Sequence, residues 1–415
     1  MCGILGSIGQ FNNINKDSFH QALLKSNFRG PDYSNSHNFI SSNNQIFLGH
    51  NRLSIIDLNP TGNQPKESHS KNNMIIFNGE IYNHIELRKK FPNDFTWASN
   101  SDTETLIELI EKFGIAATLS LIRGMFAFAV YDFKKDIITL ARDISGEKPL
   151  YLYFHENGFI FSSDLNSPSH LGMPSKEINQ TAINQLLKFN YIPSPLCIYK
   201  STFKLPAASY ISVDLKKFQH KSANSFNDLI RSTGIEFQKF WSLPEQRDQF
   251  NGSISASELT KKTEQLLEES IQMQQLSDVP IGAFLSGGID SSLVVALMQK
   301  NSDSKIKTFN IGFDFDGYDE SPYAEKIAKH LGTDHSSTKC SKAEAVKIIQ
   351  SLPSAFAEPF ADSSQIPTML VSKIAKEQVS VVLSGDGGDE LFGGYNRYLL
   401  SSSYWKILRL IPASI

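Results

Sequence analysis

One run of residues limits the fold of this chain more than any other: Phe284-Leu-Ser286-Gly287-Gly288-Ile-Asp290-Ser291-Ser292-Leu-Val-Val-Ala. The apolar segment Val279–Leu285 reads as a strand, two glycines and a hydroxyl pair follow, and Ser291–Gln299 reads as a helix. Glycine lets the backbone approach an anion closely, and a helix start turns free N–H groups and a partial positive charge toward it. Ser286, Ser291 and Ser292 add hydroxyl donors, so the turn suits a pyrophosphate. The spacing is neither that of a Walker loop nor that of a dinucleotide binder. A purely structural turn with Asp290 as helix cap needs only one glycine and one cap. This one sits at the carboxyl end of a strand, the edge at which open α/β sheets bind ligands.

The surrounding sequence agrees with such a sheet. Leu259–Leu276 reads as an amphipathic helix, Ile306–Ile311 as a strand and Tyr323–His330 as a helix. Ala343–Ser351 and Ile366–Lys376 read as further helices, and Val379–Leu383 as another strand. Alternating strand and helix predicts a parallel, doubly wound sheet. The last strand opens onto Ser384-Gly385-Asp386-Gly387-Gly388-Asp389-Glu390. Carboxylates packed so closely repel one another unless a cation sits among them, and hard oxygen ligands suit Mg²⁺ held between carboxylate and phosphate. On its own this turn would read as a solvated acidic loop. Tyr404–Ile415 stops without a clear helix cap, so the chain is expected to be a piece of a longer protein.

The first half has another texture. Ile46–Gly49, Met74–Phe77, Phe126–Asp132, Ile137–Ala141 and Phe159–Ser162 are strand-like runs bounded by turn residues. Phe19–Ser26 and Thr103–Phe113 read as helices, the second opened by the capping signal Ser101-Asp102-Thr103-Glu104. Strands dominate with a few helices packed on them, an α+β layered domain. The expected division is a first domain over 1–212, a polar linker over 213–250 and a second domain over 251–415.

Length and composition fit this division. A chain of 415 residues can bury two cores, and 40 Lys+Arg against 43 Asp+Glu leave no bulk charge to draw nucleic acid or a membrane surface. Cys2, Cys197 and Cys340 have no spacing that suggests disulfides or a zinc site. No basic segment leads into an apolar leader, and no apolar run approaches the ~20 residues that span a bilayer, so a cytoplasmic location is expected.

Cys2 by itself is weak evidence, since a small buried residue on a first strand would look the same. Removal of Met1 would place a free α-amine, of reference pKa about 7.7–8.0, beside the thiol, where it could take the proton and activate a nucleophile. Five ordered segments accompany it: Arg29-Gly30-Pro31-Asp32, Asn51-Arg52-Leu53-Ser54-Ile55, Asn78-Gly79-Glu80-Ile81-Tyr82-Asn83, Ser101-Asp102-Thr103-Glu104 and Arg123-Gly124-Met125-Phe126-Ala127-Phe128. This set resembles the class II glutamine amidotransferases. Joined to the S-G-G-I-D-S-S turn, which resembles the pyrophosphate loop of ATP pyrophosphatases, the whole chain is similar to the asparagine synthetase B family.

The resemblance implies an N-terminal-nucleophile (Ntn) hydrolase domain with αββα layers, followed by an ATP pyrophosphatase domain with a parallel sheet, like the adenine nucleotide α-hydrolases. It implies Cys2 as nucleophile, Arg52 on the glutamine α-carboxylate, Glu80 and Asp102 on its α-ammonium, and Asn78 with the Gly79 amide as oxyanion hole. Bland alternatives are a surface ion pair for Arg52, a hairpin turn at Asn78-Gly79 and a helix cap at Asp102. In the second domain it implies ATP contacts at Ser286, Gly287, Gly288, Asp290, Ser291 and Ser292, and adenine and ribose contacts at Leu285, Ile311, Ser384 and Gly385, with Mg²⁺ on Asp290 and Asp389. Asp386 stands where several family members carry a glutamate that orients the acceptor and the reactive intermediate. The implied reaction joins ammonia from glutamine to an acceptor carboxylate, aspartate by family default, at the expense of ATP, and family members often form homodimers. The segment Glu358–Ser364 leaves open an acceptor such as a sugar acid of a surface polysaccharide. A catalytically reduced regulatory or storage homologue is the other alternative, since the family's synthetase lysine falls beyond residue 415.

Overall fold

The computed structural model describes residues 2–171, 176–243, 254–313 and 319–409. Its contacts divide into two units, one of Met1–Asn251 with Ser351–Ser363 and one of Gly252–Gln350 with Ser364–Ile415. The end of the expected linker, 244–250, and the uncapped end of the chain, 410–415, lie outside the described residues.

Among the described residues, the first unit contains twelve strands: β1 (Gly3–Gly9), β2 (Tyr33–Ser41), β3 (Asn44–Arg52), β4 (Lys66–Glu67), β5 (Asn73–Ile81), β6 (Gly124–Asp132), β7 (Ile137–Arg142), β8 (Tyr151–His155), β9 (Gly158–Ser162), β10 (Thr202–Lys204), β11 (Ser209–Asp214) and β12 (Ile235–Lys239). They form two six-stranded sheets, ordered β10-β8-β9-β1-β3-β2 and β12-β11-β7-β6-β5-β4. The two-residue period of a strand decides which faces meet. In β1, Ile4 and Ile8 point into the core between the sheets, and Leu5 points to the outer layer. In β5, Met74 and Ile76 enter that same core, while Ile75 and Phe77 face the other outer layer. Helix Lys16–Leu24 covers the first sheet with Phe19, Ala22 and Leu23. Helix Asp102–Phe113 covers the second with Leu106, Ile107, Leu109 and Ile110. Each buried Leu, Ile, Met or Phe among these stabilises the layers by about 1.5–3 kcal/mol. The result is an αββα sandwich.

Residues 213–239, expected as the start of a linker, carry helix Phe226–Ile230 and the edge strand β12, which pairs antiparallel with β11 from Ser209↔Lys239 to Val213↔Ile235. Phe226 and Leu229 pack into the core between the sheets. The first unit therefore continues well past residue 212. The segment Ser351–Ser363 also belongs to it. There the Glu358 carboxylate accepts from the Ile198 amide at 2.7 Å and from Lys204 Nζ at 2.6 Å.

The second unit has a four-stranded parallel sheet of β13 (Ile281–Phe284), β14 (Lys307–Phe313), β15 (Asp334–Cys340) and β16 (Val381–Leu383), ordered β15-β14-β13-β16. Helices Ala256–Gln274, Ile289–Lys300 and Ser321–Leu331 contribute Ile271, Val295 and Ala324 to a cluster with Ala283, Leu285 and Leu383. Helix Gln365–Lys376 packs Val371 and Ala375 on Phe309 in a separate cluster. Strands running parallel, with helices packed from separate clusters, are the doubly wound arrangement.

Candidate active site

The pocket in the first unit is assembled from strand ends that meet where the two sheets begin. Cys2 precedes β1, and β1 pairs with β3 from Gly3↔Asn51, so Cys2 lies beside the residues that follow β3. The Leu53 amide donates to Cys2 Sγ at 3.4 Å, and Arg29 Nε donates to the Cys2 carbonyl at 3.1 Å. Half-buried as it is, the thiol is pushed above its usual pKa by burial, opposed by the Leu53 backbone and the Arg52 charge. It therefore needs a base, and no histidine lines this pocket among the described residues.

Asn78, Gly79 and Glu80 come from β5 and enter the same pocket. Gly79 has φ +159°, and a Cβ there would lie 2.1 Å from the Met125 carbonyl oxygen. Glycine is therefore required for β5 to approach β6 so closely. Asn78-Gly79 is mid-strand, paired with Ala127 and Phe126, and not a hairpin turn.

The helix cap is Ser101, whose hydroxyl accepts from the Thr103 amide at 3.1 Å. Asp102 is instead the first helical residue, and its carboxylate accepts from the Ile81 amide at 2.9 Å. That bond ties the helix start to the end of β5 and brings two carboxylates together. Glu80 and Asp102 are each only 6% exposed. Burial and the Asp102 charge raise Glu80 to about 7. Burial, opposed by backbone amides, raises Asp102 to about 6. Glu80 Oε1 is buried with no hydrogen-bond partner among the described residues. A buried acceptor without a donor is costly, and a cation that donates hydrogen bonds would relieve both the desolvation and the repulsion.

Arg52 lines the pocket, but its terminal donors are turned to the following loop. Nη1 donates to the Asn59 carbonyl at 2.9 Å and to Asn63 Oδ1 at 2.8 Å, and Nη2 donates to the carbonyls of Asp57 and Ile56. The Asp57 carboxylate braces the loop by accepting from the Asn59 amide, Asn59 Nδ2 and Thr61 Oγ1. Arg52 is thus the post around which this wall of the pocket folds.

Sequence reasoning missed Lys148, Gln64 and Ser163. Lys148 lines the pocket at 5% exposure, its pKa lowered by burial against the charges of Glu147 and Glu80. Its turn is built by Asp143, which accepts from the amides of Glu147 and Lys148, and by Arg142, whose Nε donates to the Lys148 carbonyl. The run Arg142-Asp143-Ile-Ser-Gly146-Glu147-Lys148 carried the signal, as charges beside an apolar strand. Gln64 accepts from the Phe77 amide at 2.6 Å and donates to Thr103 Oγ1 at 3.1 Å, linking β5 to the helix start.

In the second unit the glycine turn lies between β13 and helix Ile289–Lys300. The cap is Gly288, and Asp290 is the second helical residue, so it is free of capping duty. Gly287 has φ +88°. Ser286 Oγ and Ser291 Oγ lie 2.9 Å apart, and the Gly288 amide donates to Ser286 Oγ at 3.3 Å. Because β16 pairs with β13, the second glycine turn leaves the same carboxyl edge. The two turns touch: a Cβ at Gly385 would lie 2.6 Å from the Ser291 amide, and one at Gly388 would lie 2.5 Å from the Asp290 carboxylate. Ser384 Oγ donates to Asp386 Oδ2 at 3.0 Å. Asp290, Ser384, Gly385 and Asp386 line one cleft.

Leu285 and Ile311 are placed differently from the rest. Leu285 is buried in the core, its amide donates to the Phe309 carbonyl, and its own carbonyl accepts from Asn310 Nδ2. Ile311 packs against the cluster of Phe309 and Val371. Asp389 is the second residue of the short helix Gly388–Phe392, and a Cβ at Gly394 would strike its carboxylate.

A model of the glutamine amidotransferase domain matches residues 1–224, and one of asparagine synthase matches residues 262–414. A putative glutamine-hydrolysing asparagine synthetase 2 of Methanocaldococcus jannaschii is 36% identical over 96% of this chain and 76% of its own length. The glutamine-hydrolysing asparagine synthetase 1 of Bacillus subtilis is 33% identical over 96% of this chain and 59% of its own length. An amidase, chry2, of Gibberella zeae is 27% identical over 90% of this chain and 54% of its own length. The chain thus spans about three quarters of the first relative and just over half of the other two. With both family models in sequence order and a relative matched over nearly all of its residues, this chain belongs to the glutamine-hydrolysing asparagine synthetase family.

Proposed function

We propose that the chain carries the two half-sites of a glutamine-dependent asparagine synthetase. At the first, Cys2 attacks the side-chain carboxamide of glutamine, ammonia leaves, and water hydrolyses the resulting thioester to glutamate. With Met1 removed, the α-amine of Cys2 takes the thiol proton and returns it to the leaving ammonia. Glu80 and Asp102 hold the substrate ammonium, and the Asn78 amide and Gly79 N–H receive the charge of the tetrahedral oxyanion. Arg52 completes the α-carboxylate end through the loop it supports. The observation that carries this reading is the buried carboxylate pair beside Cys2, with Glu80 Oε1 lacking a donor among the described residues. A small zwitterion with an ammonium at one end fits that vacancy.

At the second site the glycine turns receive the phosphates of ATP. The acceptor carboxylate, aspartate, attacks the α-phosphate to give an acyl-adenylate and pyrophosphate, and ammonia displaces AMP to give the amide. Mg²⁺ fits the hard oxygen donors Asp290 and Asp389. The described residues contain no cluster of three or more His, Cys, Asp or Glu that could hold a metal, so phosphate oxygens would complete the shell. Bound there, the ion would neutralise phosphate charge. Ser384 and Gly385 form the opposing edge of that cleft, while Leu285 and Ile311, packed in separate clusters, support the strands beneath it.

Replacing Cys2 by Ala should abolish glutamate release from glutamine while leaving acceptor-dependent pyrophosphate release with ammonium ions unchanged. Loss of both activities in a folded variant would overturn the two-site reading. A second reading changes only the acceptor. It is favoured by Asp386, whose short carboxylate is held by Ser384 Oγ, and by the likeness to a protein named an amidase. An acceptor panel read by pyrophosphate release separates the two.

A further inference from the structure

Ser163, immediately after β9, is 1% exposed and sits at a junction of the two sheets. Its hydroxyl accepts from the Ile4 amide at 3.1 Å and from Asn78 Nδ2 at 3.4 Å. Its own amide donates to the Ile4 carbonyl at 3.0 Å. Ile4 is two residues from Cys2 on β1 of the first sheet, and Asn78 is on β5 of the second. One side chain therefore touches both the strand that carries the nucleophile and the amide proposed to receive the oxyanion.

The geometry of a carboxamide gives this contact its consequence. The two N–H bonds of the Asn78 side chain lie in one plane at a fixed angle. Directing one at Ser163 Oγ fixes the rotation of the amide and so the bearing of the other. Asn78 is fully buried, and its Oδ1 has no hydrogen-bond partner among the described residues. Among the described residues, Ser163 Oγ is thus the polar contact of the amide. Oxyanion stabilisation depends on donors held in place before charge develops, and a displacement of about 1 Å can cost about 100-fold in rate.

We infer that Ser163 is a positioning residue for glutamine hydrolysis, setting the Asn78 amide relative to Cys2 across the two sheets. The inference rests on the oxyanion role proposed above for Asn78. It differs from a plain structural role, in which Ser163 would only satisfy the Ile4 amide and act through stability or through the placement of Cys2.

A double-mutant cycle on the full chain distinguishes these. Ser163→Ala should lower kcat for glutamine hydrolysis about 30-fold with KM within about twofold, and Asn78→Ala should lower kcat about 100- to 1000-fold. The double variant should be no slower than Asn78→Ala alone, because Ser163 acts through the amide that is already missing. Alkylation of Cys2 by iodoacetamide, which passes through no tetrahedral oxyanion, should proceed at the same rate in Ser163→Ala as in the parent chain. If Ser163→Ala folds poorly, Ser163→Cys, nearly the same size but a weaker acceptor, takes its place in the cycle with the same expected non-additivity. A further full drop in the double variant, a slowed alkylation, or wild-type kcat in Ser163→Ala overturns the inference. Wild-type kcat in Asn78→Ala instead overturns the oxyanion reading itself.

Discussion

At the Cys2 pocket, Arg52, Asn78, Glu80 and Asp102 are each at most 6% exposed, and Arg52 and Asp102 are already bonded to backbone. At the glycine turns of the second unit, Ser286 and Asp386 stand in solvent, and Asp290, Ser384 and Asp389 are only partly covered. The first arrangement is finished before any ligand arrives, and it stores an unfavourable carboxylate pair that a matching cation relieves. The second presents N–H groups and partly exposed carboxylates at a sheet edge. A small zwitterion is best selected by desolvated, fixed partners, because buried polar groups discriminate strongly against anything that leaves them unpaired. A large polyanion can be held from one side by glycine-rich backbone and a helix start.

The sharpest way to break this contrast is at Glu80. Glu80→Gln removes the charged partner proposed for the substrate ammonium, worth about 2 kcal/mol, and should raise KM for glutamine about 30-fold in steady-state assays. An unchanged KM would show that the buried pair does not hold the ammonium.

The pH profile sharpens the same point. Burial raises Glu80 to about 7 and Asp102 to about 6, and the anionic forms are the ones that bind an ammonium. Below pH 7 the carboxyls take up protons, so kcat/KM for glutamine should fall about tenfold per pH unit through that range, reporting the free protein. A profile flat from pH 8 to 5.5 would refute it.

A smaller effect concerns stability. A carboxyl whose folded pKa is raised contributes stability that is present below its unfolded value near 4.5 and is lost as pH rises through about 7. At pH 8 the substrate-free unit therefore bears the cost of the charged Glu80. Glu80→Gln should stabilise it there by about 2 kcal/mol in thermal melts and have little effect at pH 4. The smallest expected change lies in the other unit. Asp389→Asn, at a partly solvated turn, should leave the melting temperature within about 2 °C while slowing ATP-dependent pyrophosphate release.

Several of the strands and helices that bury a regular face were legible, although β8 and β11, which are buried as well, were not. Met74–Phe77 lies within β5 and Thr103–Phe113 within Asp102–Phe113, each alternation or helical period matching the core it enters. The missed strands β2 and β15 are the polar runs Tyr-Ser-Asn-Ser-His-Asn-Phe-Ile-Ser and Asp-His-Ser-Ser-Thr-Lys-Cys, and both lie at sheet edges. An edge strand can satisfy its backbone on one side and keep polar side chains in water, so its composition imitates a loop. The expected linker failed for the same reason, since β12 is another exposed edge.

Sequence alone determined that two kinds of ligand chemistry lie on one chain, because glycine spacing after a strand and a cysteine at position 2 are local facts. The tertiary structure decided where each charged residue stands and what it touches. Only the pairing of β1 with β3 brings Cys2 to Leu53, only the Ile81 amide draws Asp102 to Glu80, and only the fold of the 56–63 loop turns Arg52 into its support. These contacts join residues 21 to 51 positions apart or depend on the path of an irregular loop. No periodicity encodes such a path, because it follows from which backbone groups remain to be satisfied once the sheets have formed.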